Sequence, residues 1–235
     1  MGGIKNKNHM KKIILALLVV VGSLATAAAQ KGKGFEGTIT FSINFEGSSL
    51  PPEALAMFKG AETVTYIKGE KSRVDMNLSI QSTTAIVDNK NKTMVTLMDF
   101  MGQKYLIRMN MDEIKKENEK AAVPTIKYLD ETKEIAGFKC KKAELTMKSE
   151  TGKDEVMSVY YTEEIPTSEI KPTFKGFKGF PLEYSLNQGG IKMSFTAKSV
   201  SKEPVADSKF DIPKEGYTET TMEEFKNSMM KMGGK

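Results

Sequence analysis

From Thr38 to Phe45 the chain alternates polar and apolar residues for eight positions, which puts Ile39, Phe41, Ile43 and Phe45 on one face. A period of two is the mark of an antiparallel strand buried on one side only, and it recurs along most of the chain. Val64 to Ile67 leads into a turn at Lys68-Gly69-Glu70, after which Val74, Met76, Leu78 and Ile80 alternate with Asp75, Asn77 and Ser79. Thr84 to Val87 and Thr93 to Met98 flank the turn Asp88-Asn89-Lys90-Asn91, and Tyr105 to Met109 follows Gly102. The series continues through Thr125 to Leu129, Lys139 to Met147 and, past a turn at Glu150-Thr151-Gly152, Val156 to Thr162. The clearest hairpin is the last, where Leu182, Tyr184 and Leu186 turn at Asn187-Gln188-Gly189-Gly190 into Ile191, Met193, Phe195 and Ala197. The strands follow one another at meander spacing, as antiparallel neighbours do.

Helical signals are few. Ser48-Ser49 followed by Pro51, Pro52 and Glu53 predicts a short helix over Ala54 to Lys59, closed by Gly60. Asn110 to Ala122 is solvated, with Asp112 one turn from Lys116, and reads as a second helix. Met222, Phe225, Met229 and Met230 lie at helical spacing in a third, Thr220 to Lys231, with Thr220 as N-cap and a disordered tail beyond it. The expected fold is mainly β (α+β): nine to eleven antiparallel strands in a single strongly curved sheet or half-open barrel, with two or three short helices covering one face.

The first 29 residues follow a different plan. A basic start ending at Lys12, an apolar run from Ile13 to Leu24 and Ala27-Ala28-Ala29 predict a cleavable export signal, cut after Ala29 to leave residues 30–235 as one domain. The apolar run is shorter than the ~20 residues a membrane span takes, and no cysteine stands at the cleavage site to accept a lipid, so neither a transmembrane nor a lipid anchor is expected. The expected location is the periplasm.

This subtraction changes the charge balance. The sequence holds 35 Lys and Arg against 30 Asp and Glu, and four of the lysines, with the single histidine His9, fall in the first 29 residues. The remainder is close to neutral, without the basic face that binding to nucleic acid requires. It has no His, no Trp and one cysteine, Cys140. His-dependent nucleophilic triads and His-ligated zinc are thereby excluded, and no metal or cofactor is expected. Cys140 has no disulfide partner and reads as a small buried hydrophobe, the alternative being a reactive thiol.

Three features remain. Gly176-Phe177-Lys178-Gly179 lacks the spacing of a phosphate loop, and paired acids such as Glu163-Glu164 and Glu223-Glu224 read as solvated faces. Methionines cluster at Met94, Met98, Met101, Met109 and Met111 and again at Met229, Met230 and Met232, open to three readings: core packing, a cavity that repacks around apolar ligands, or an all-Met Cu(I) site. Phe174 to Pro181 interleaves aromatics, glycines and lysines in a strap that either plugs the sheet's edge or forms a mobile lip.

Residues Thr132 to Ala143, Val159 to Thr162, Lys178 to Tyr184 and Val205 to Tyr217 resemble an exported family of the Bacteroides group known as domain-of-unknown-function family 4412. The resemblance implies a fold similar to the lipoprotein carriers LolA and LolB, in which a half-open antiparallel barrel wraps around helices that lid an apolar cavity. It supplies no catalytic or binding residue to carry over.

The expected function is therefore non-enzymatic: a periplasmic binding or carrier protein for an apolar or acylated ligand, a lipid or lipoprotein chain. Its cavity wall is expected from Ile39, Phe41, Ile43, Met76, Leu78, Tyr184, Leu186, Met193 and Phe195, with the helix near Pro51 to Lys59 as a lid. The alternatives are an envelope interaction module whose barrel is filled by its own side chains, and a hydrolase built on carboxylates or Tyr, which needs acids converging in a cleft.

Overall fold

The computed structural model describes residues 35–46, 58–78, 81–100, 102–120, 122–148, 152–165, 174–188 and 191–232. The export segment lies outside these residues, as does most of the helix expected at Pro51 to Lys59, of which only the turn at Phe58 to Gly60 is described.

The strands in chain order are β1 (Glu36–Glu46), β2 (Glu62–Lys68), β3 (Lys71–Leu78), β4 (Gln81–Asp88), β5 (Thr93–Phe100), β6 (Gln103–Asn110), β7 (Thr125–Ile135), β8 (Phe138–Lys148), β9 (Asp154–Thr162), β10 (Phe180–Gln188), β11 (Ile191–Ser201) and β12 (Thr218–Thr220). They form one sheet in the order β12-β6-β5-β4-β3-β2-β1-β11-β10-β9-β8-β7. The short links make nearly every sequence neighbour a sheet neighbour, and β1 joins the two meanders by pairing with both β2 and β11. β7 and β12 stand at the two ends, so the sheet is open rather than closed. It nevertheless curls: β7 and β11, four places apart in the sheet order, come into contact, and one apolar cluster runs along a single face from β4 and β5 through β1 to β8 and β9.

Three expectations are corrected. The strands number twelve among the described residues, because β12 was not visible in the sequence; it pairs with β6 in parallel, Thr218 opposite Tyr105 and Thr220 opposite Ile107. The second is the cover of two or three helices over one face, which is not borne out among the described residues. Helix α1 (Met111–Lys120) starts where β6 ends, with the Asn110 carboxamide accepting from the Asp112 N–H at 2.8 Å, and lies at that corner of the sheet. Helix α2 (Met222–Met232) packs Phe225 on Met98, Phe100 and Ile107 near the β12 end. Third, its cap is Thr221, not Thr220: Thr221 Oγ1 accepts from the Glu224 N–H at 3.1 Å while the Glu224 carboxylate accepts from the Thr221 N–H at 2.9 Å, a reciprocal capping box.

The convex face is also covered in part. After β11 the chain crosses the outer side of β2 to β6, where Val205 and Phe210 bury Ile86, Val95, Leu97 and Leu106. Arg73 donates to the Lys209 carbonyl at 2.9 Å and Lys68 to that of Val205 at 2.8 Å, so this segment is tied down by backbone acceptors as well as by apolar area. β5 is consequently buried on both faces, which explains its nearly continuous apolar run Met94 to Met98. Met94 and Met98 are core residues, as the packing reading of the methionines expects. Among the described residues, no helix is long and apolar enough to cross a membrane.

Candidate functional site

All nine residues expected to form the wall share the concave face and one apolar cluster. Ile39, Phe41, Ile43, Met76, Tyr184, Met193 and Phe195 are buried; Leu78 and Leu186 are half-buried at its margin. The register brings them together: Ile43 faces Phe195, Phe195 faces Tyr184, and Leu186 faces Met193. Tyr184 is stacked on Phe195 with ring centres 4.9 Å apart and planes 9° from parallel, and meets Phe41 edge-on at 6.4 Å.

The strap enters this face. Phe174, Phe177 and Phe180 are all buried in the same cluster, as the plug reading of that segment expects. Phe174 meets Tyr184 edge-on at 5.3 Å, Phe177 meets Tyr161 at 5.0 Å, and Tyr128 lies flat on Phe177 at 6.0 Å. The rings form a continuous path from half-exposed Tyr128 to fully buried Phe195. Gly179, at φ +124°, lets the strap pass over Tyr161: a Cβ there would stand 2.2 Å from the ring.

Ionisable groups on the concave face keep their protons. Burial, reinforced by Glu183 and Glu164, pushes the Cys140 thiol up to about 11, and its S–H donates to the Phe138 carbonyl at 3.6 Å. Burial alone drives the Tyr184 phenol far above its ordinary range. Neither is a poised nucleophile or base. A charged cluster lies on the other side of the sheet, where the Tyr160 hydroxyl donates to the Glu131 carboxylate and Lys142 bridges the same group at 2.8 Å. These bonds lower the Glu131 carboxyl and raise the Tyr160 phenol, so each holds the charge state it would have in water at neutral pH. Among the described residues, no group of three or more His, Cys, Asp or Glu could hold a metal ion.

The sequence reading did not find the polar side chains on this face. Thr63, Thr65, Ser72, Gln81, Thr83 and Thr96 are buried on the inner side of β2 to β5. The hydroxyls of Thr63, Thr65, Ser72 and Tyr184 and the Gln81 Oε1 have no hydrogen-bond partner among the described residues. In β2 the apolar signal points the wrong way: Val64 and Tyr66 alternate with the two threonines, yet they face outward, where Lys209 lies 4.7 Å over the Tyr66 ring.

No family model matches the sequence, and no curated protein matches it. Among solved structures, the chain is similar to one described as the crystal structure of MucB, with a TM-score of 0.36 and 10% identity, covering 85% of this chain and 63% of that one. The chain thus spans less than two thirds of that neighbour's length.

Proposed function

We propose that this chain is an exported, non-catalytic binding or carrier protein of the periplasm that holds an apolar or acylated ligand, a lipid or lipoprotein chain, against the concave face of its sheet. Membership of domain-of-unknown-function family 4412 is part of the same proposal. The observation that carries it is the apolar face itself: nine residues from four strands converge there, with the Tyr184 hydroxyl buried among them and unpartnered within the described residues. An orphaned buried hydroxyl costs about 1–3 kcal/mol, which a ligand with a polar atom at that point would relieve. The proton-bound state of Cys140 and Tyr184 favours burial of a ligand over chemistry on it.

A second reading has its own observation. Phe174, Phe177 and Phe180 pack into the same cluster, and a face filled in this way suits an envelope interaction module that takes no small ligand. Equilibrium titration with a fluorescent fatty-acyl probe separates the two. Saturable binding that Phe41→Asp abolishes, and that Leu186→Lys at the margin weakens in a folded variant, supports the carrier. Absence of binding by the folded wild-type protein supports the module.

A further inference from the structure

The rings of the concave face are held in two different ways. Phe41 and Phe195, which meet Tyr184, stand on β1 and β11, and each of those strands is paired with a neighbour on both sides. Phe174, which meets Tyr184 edge-on at 5.3 Å, belongs to no strand. Phe177 likewise lies between Tyr161 of β9 and Tyr128 of β7 without being part of the sheet. Phe174 and Phe177 can therefore leave the face without breaking a ladder.

Their connection suits such a movement. The Phe177 N–H donates to the Phe174 carbonyl at 2.9 Å, which closes the two residues into one turn. Gly176 at φ +76° and Gly179 at φ +124° stand on either side of Phe177, where the missing Cβ leaves the backbone freest to rotate. Beyond Gly179 the chain is fixed again, because Phe180 pairs with Thr162 at the start of β10.

The polar ties of the turn lie at the surface. Lys175 Nζ donates to the Glu119 carbonyl at 3.1 Å and the Lys178 N–H donates to the Tyr128 hydroxyl at 3.1 Å, and water can take over either bond at small net cost. What keeps the turn in place is the burial of its two rings, which are 9% and 8% exposed. Burial of two phenylalanine side chains is matched by that of about four to eight methylenes, fewer than a long fatty acyl chain carries.

We infer that the turn from Phe174 to Phe177 is a displaceable plug: it covers Tyr184 and Tyr161 in the place an acyl chain takes, and it swings out about Gly179 when the chain enters. This rests on the reading of the concave face as a binding face and adds the segment that must move to admit the ligand. It also accounts for a face that is both apolar and filled by the protein's own rings.

The test is limited trypsin digestion of delipidated wild-type protein, alone and saturated with 1-monooleoylglycerol or oleate, read by mass spectrometry. Trypsin cuts after Lys175 and Lys178, and with Phe174 and Phe177 buried beside them the backbone cannot extend into a protease. Cleavage at both should rise at least about tenfold with either ligand, while cleavage at exposed Lys90 and Lys92, in the turn between β4 and β5, stays unchanged. In a parallel titration, Phe174→Ala should bind 1-monooleoylglycerol at least about tenfold more tightly than the wild type, because one phenylalanine fewer has to be unburied. Binding that leaves cleavage at Lys175 and Lys178 unchanged or slowed, or an affinity of Phe174→Ala no higher than that of the wild type, would overturn the plug while leaving the binding face intact. Binding of neither ligand by the wild-type protein would overturn both. Should Phe174→Ala not fold, the digestion of the wild-type protein decides alone.

Discussion

Tyr184→Phe removes one oxygen from the middle of the concave face and nothing else. The phenylalanine keeps the stack on Phe195, with centres 4.9 Å apart, and the edge contacts to Phe174 at 5.3 Å and Phe41 at 6.4 Å. The apolar area buried is therefore unchanged, and the whole effect comes from the hydroxyl. A buried hydroxyl without a partner costs about 1–3 kcal/mol, so in ligand-free protein the substitution should stabilise by that amount. For a domain of this size each 1 kcal/mol moves the melting temperature by about 2–4 °C, giving a rise between about 2 and 12 °C. The assay is thermal unfolding of delipidated protein followed by circular dichroism, with Tyr184→Ala as the contrast: it opens a cavity and should cost about 3–5 kcal/mol. If the hydroxyl meets a ligand, the sign reverses in protein that retains its cargo, where Tyr184→Phe loses a bond instead of an orphan. A fall in melting temperature in ligand-free protein would show that the hydroxyl is already satisfied within the fold, and the reasoning from orphaned groups would fail at its centre.

Alkaline titration gives a second outcome. Folding raises both the Cys140 thiol, from 9.0 to about 11, and the Tyr184 phenol, so above the ordinary values the unfolded chain has lost protons that the folded chain still holds. Stability should be level at neutral pH and fall from about pH 9 upward, and Cys140→Ala should flatten the fall between pH 9 and 11 while leaving the tyrosine part above about pH 10. Melting curves across that range check it, and a slope that Cys140→Ala does not change would contradict it. Gly179→Ala forces a Cβ to within 2.2 Å of the rigid Tyr161 ring at a backbone angle that side chains disfavour. It should destabilise by about 1–3 kcal/mol, measured by urea denaturation, and a neutral result would mean that the strap does not depend on that close approach.

What the sequence revealed and what it hid follow from where the burial signal was one-sided. β1, β10 and β11 each bury one face and leave the other wet, so alternation alone identifies Ile39, Phe41, Ile43, Tyr184, Met193 and Phe195 as inward. β2 defeats the same logic because its outward Tyr66 is itself packed under the segment that follows β11, so apolar character marks both faces and the threonines look like the wet side. β7 was read only as far as Leu129, because a bulge between Leu129 and Thr132 breaks the alternation and its second half is charged and exposed. The tight turn that follows places Ala136 at φ +48° and Gly137 at φ +82°, a pair matching the twist of a two-residue hairpin. β12 is three residues long and held by parallel pairing to a strand more than a hundred residues earlier, which no local pattern encodes. The polar row was hidden for a related reason. Threonine and serine in a strand are ordinary on a wet face, and only register shows that Thr63, Thr65 and Ser72 look inward.

The central claim, that the concave face holds an acylated ligand, is tested most directly by native mass spectrometry with lipid extraction on the protein purified from the envelope of its own cells. The account predicts a mass above that of the chain by one acylated species, recovered in the extract and lost in the folded Leu186→Lys variant. A bare chain mass, with no uptake of added 1-monooleoylglycerol or oleate, would contradict it and leave the self-filled interaction module as the reading the fold supports.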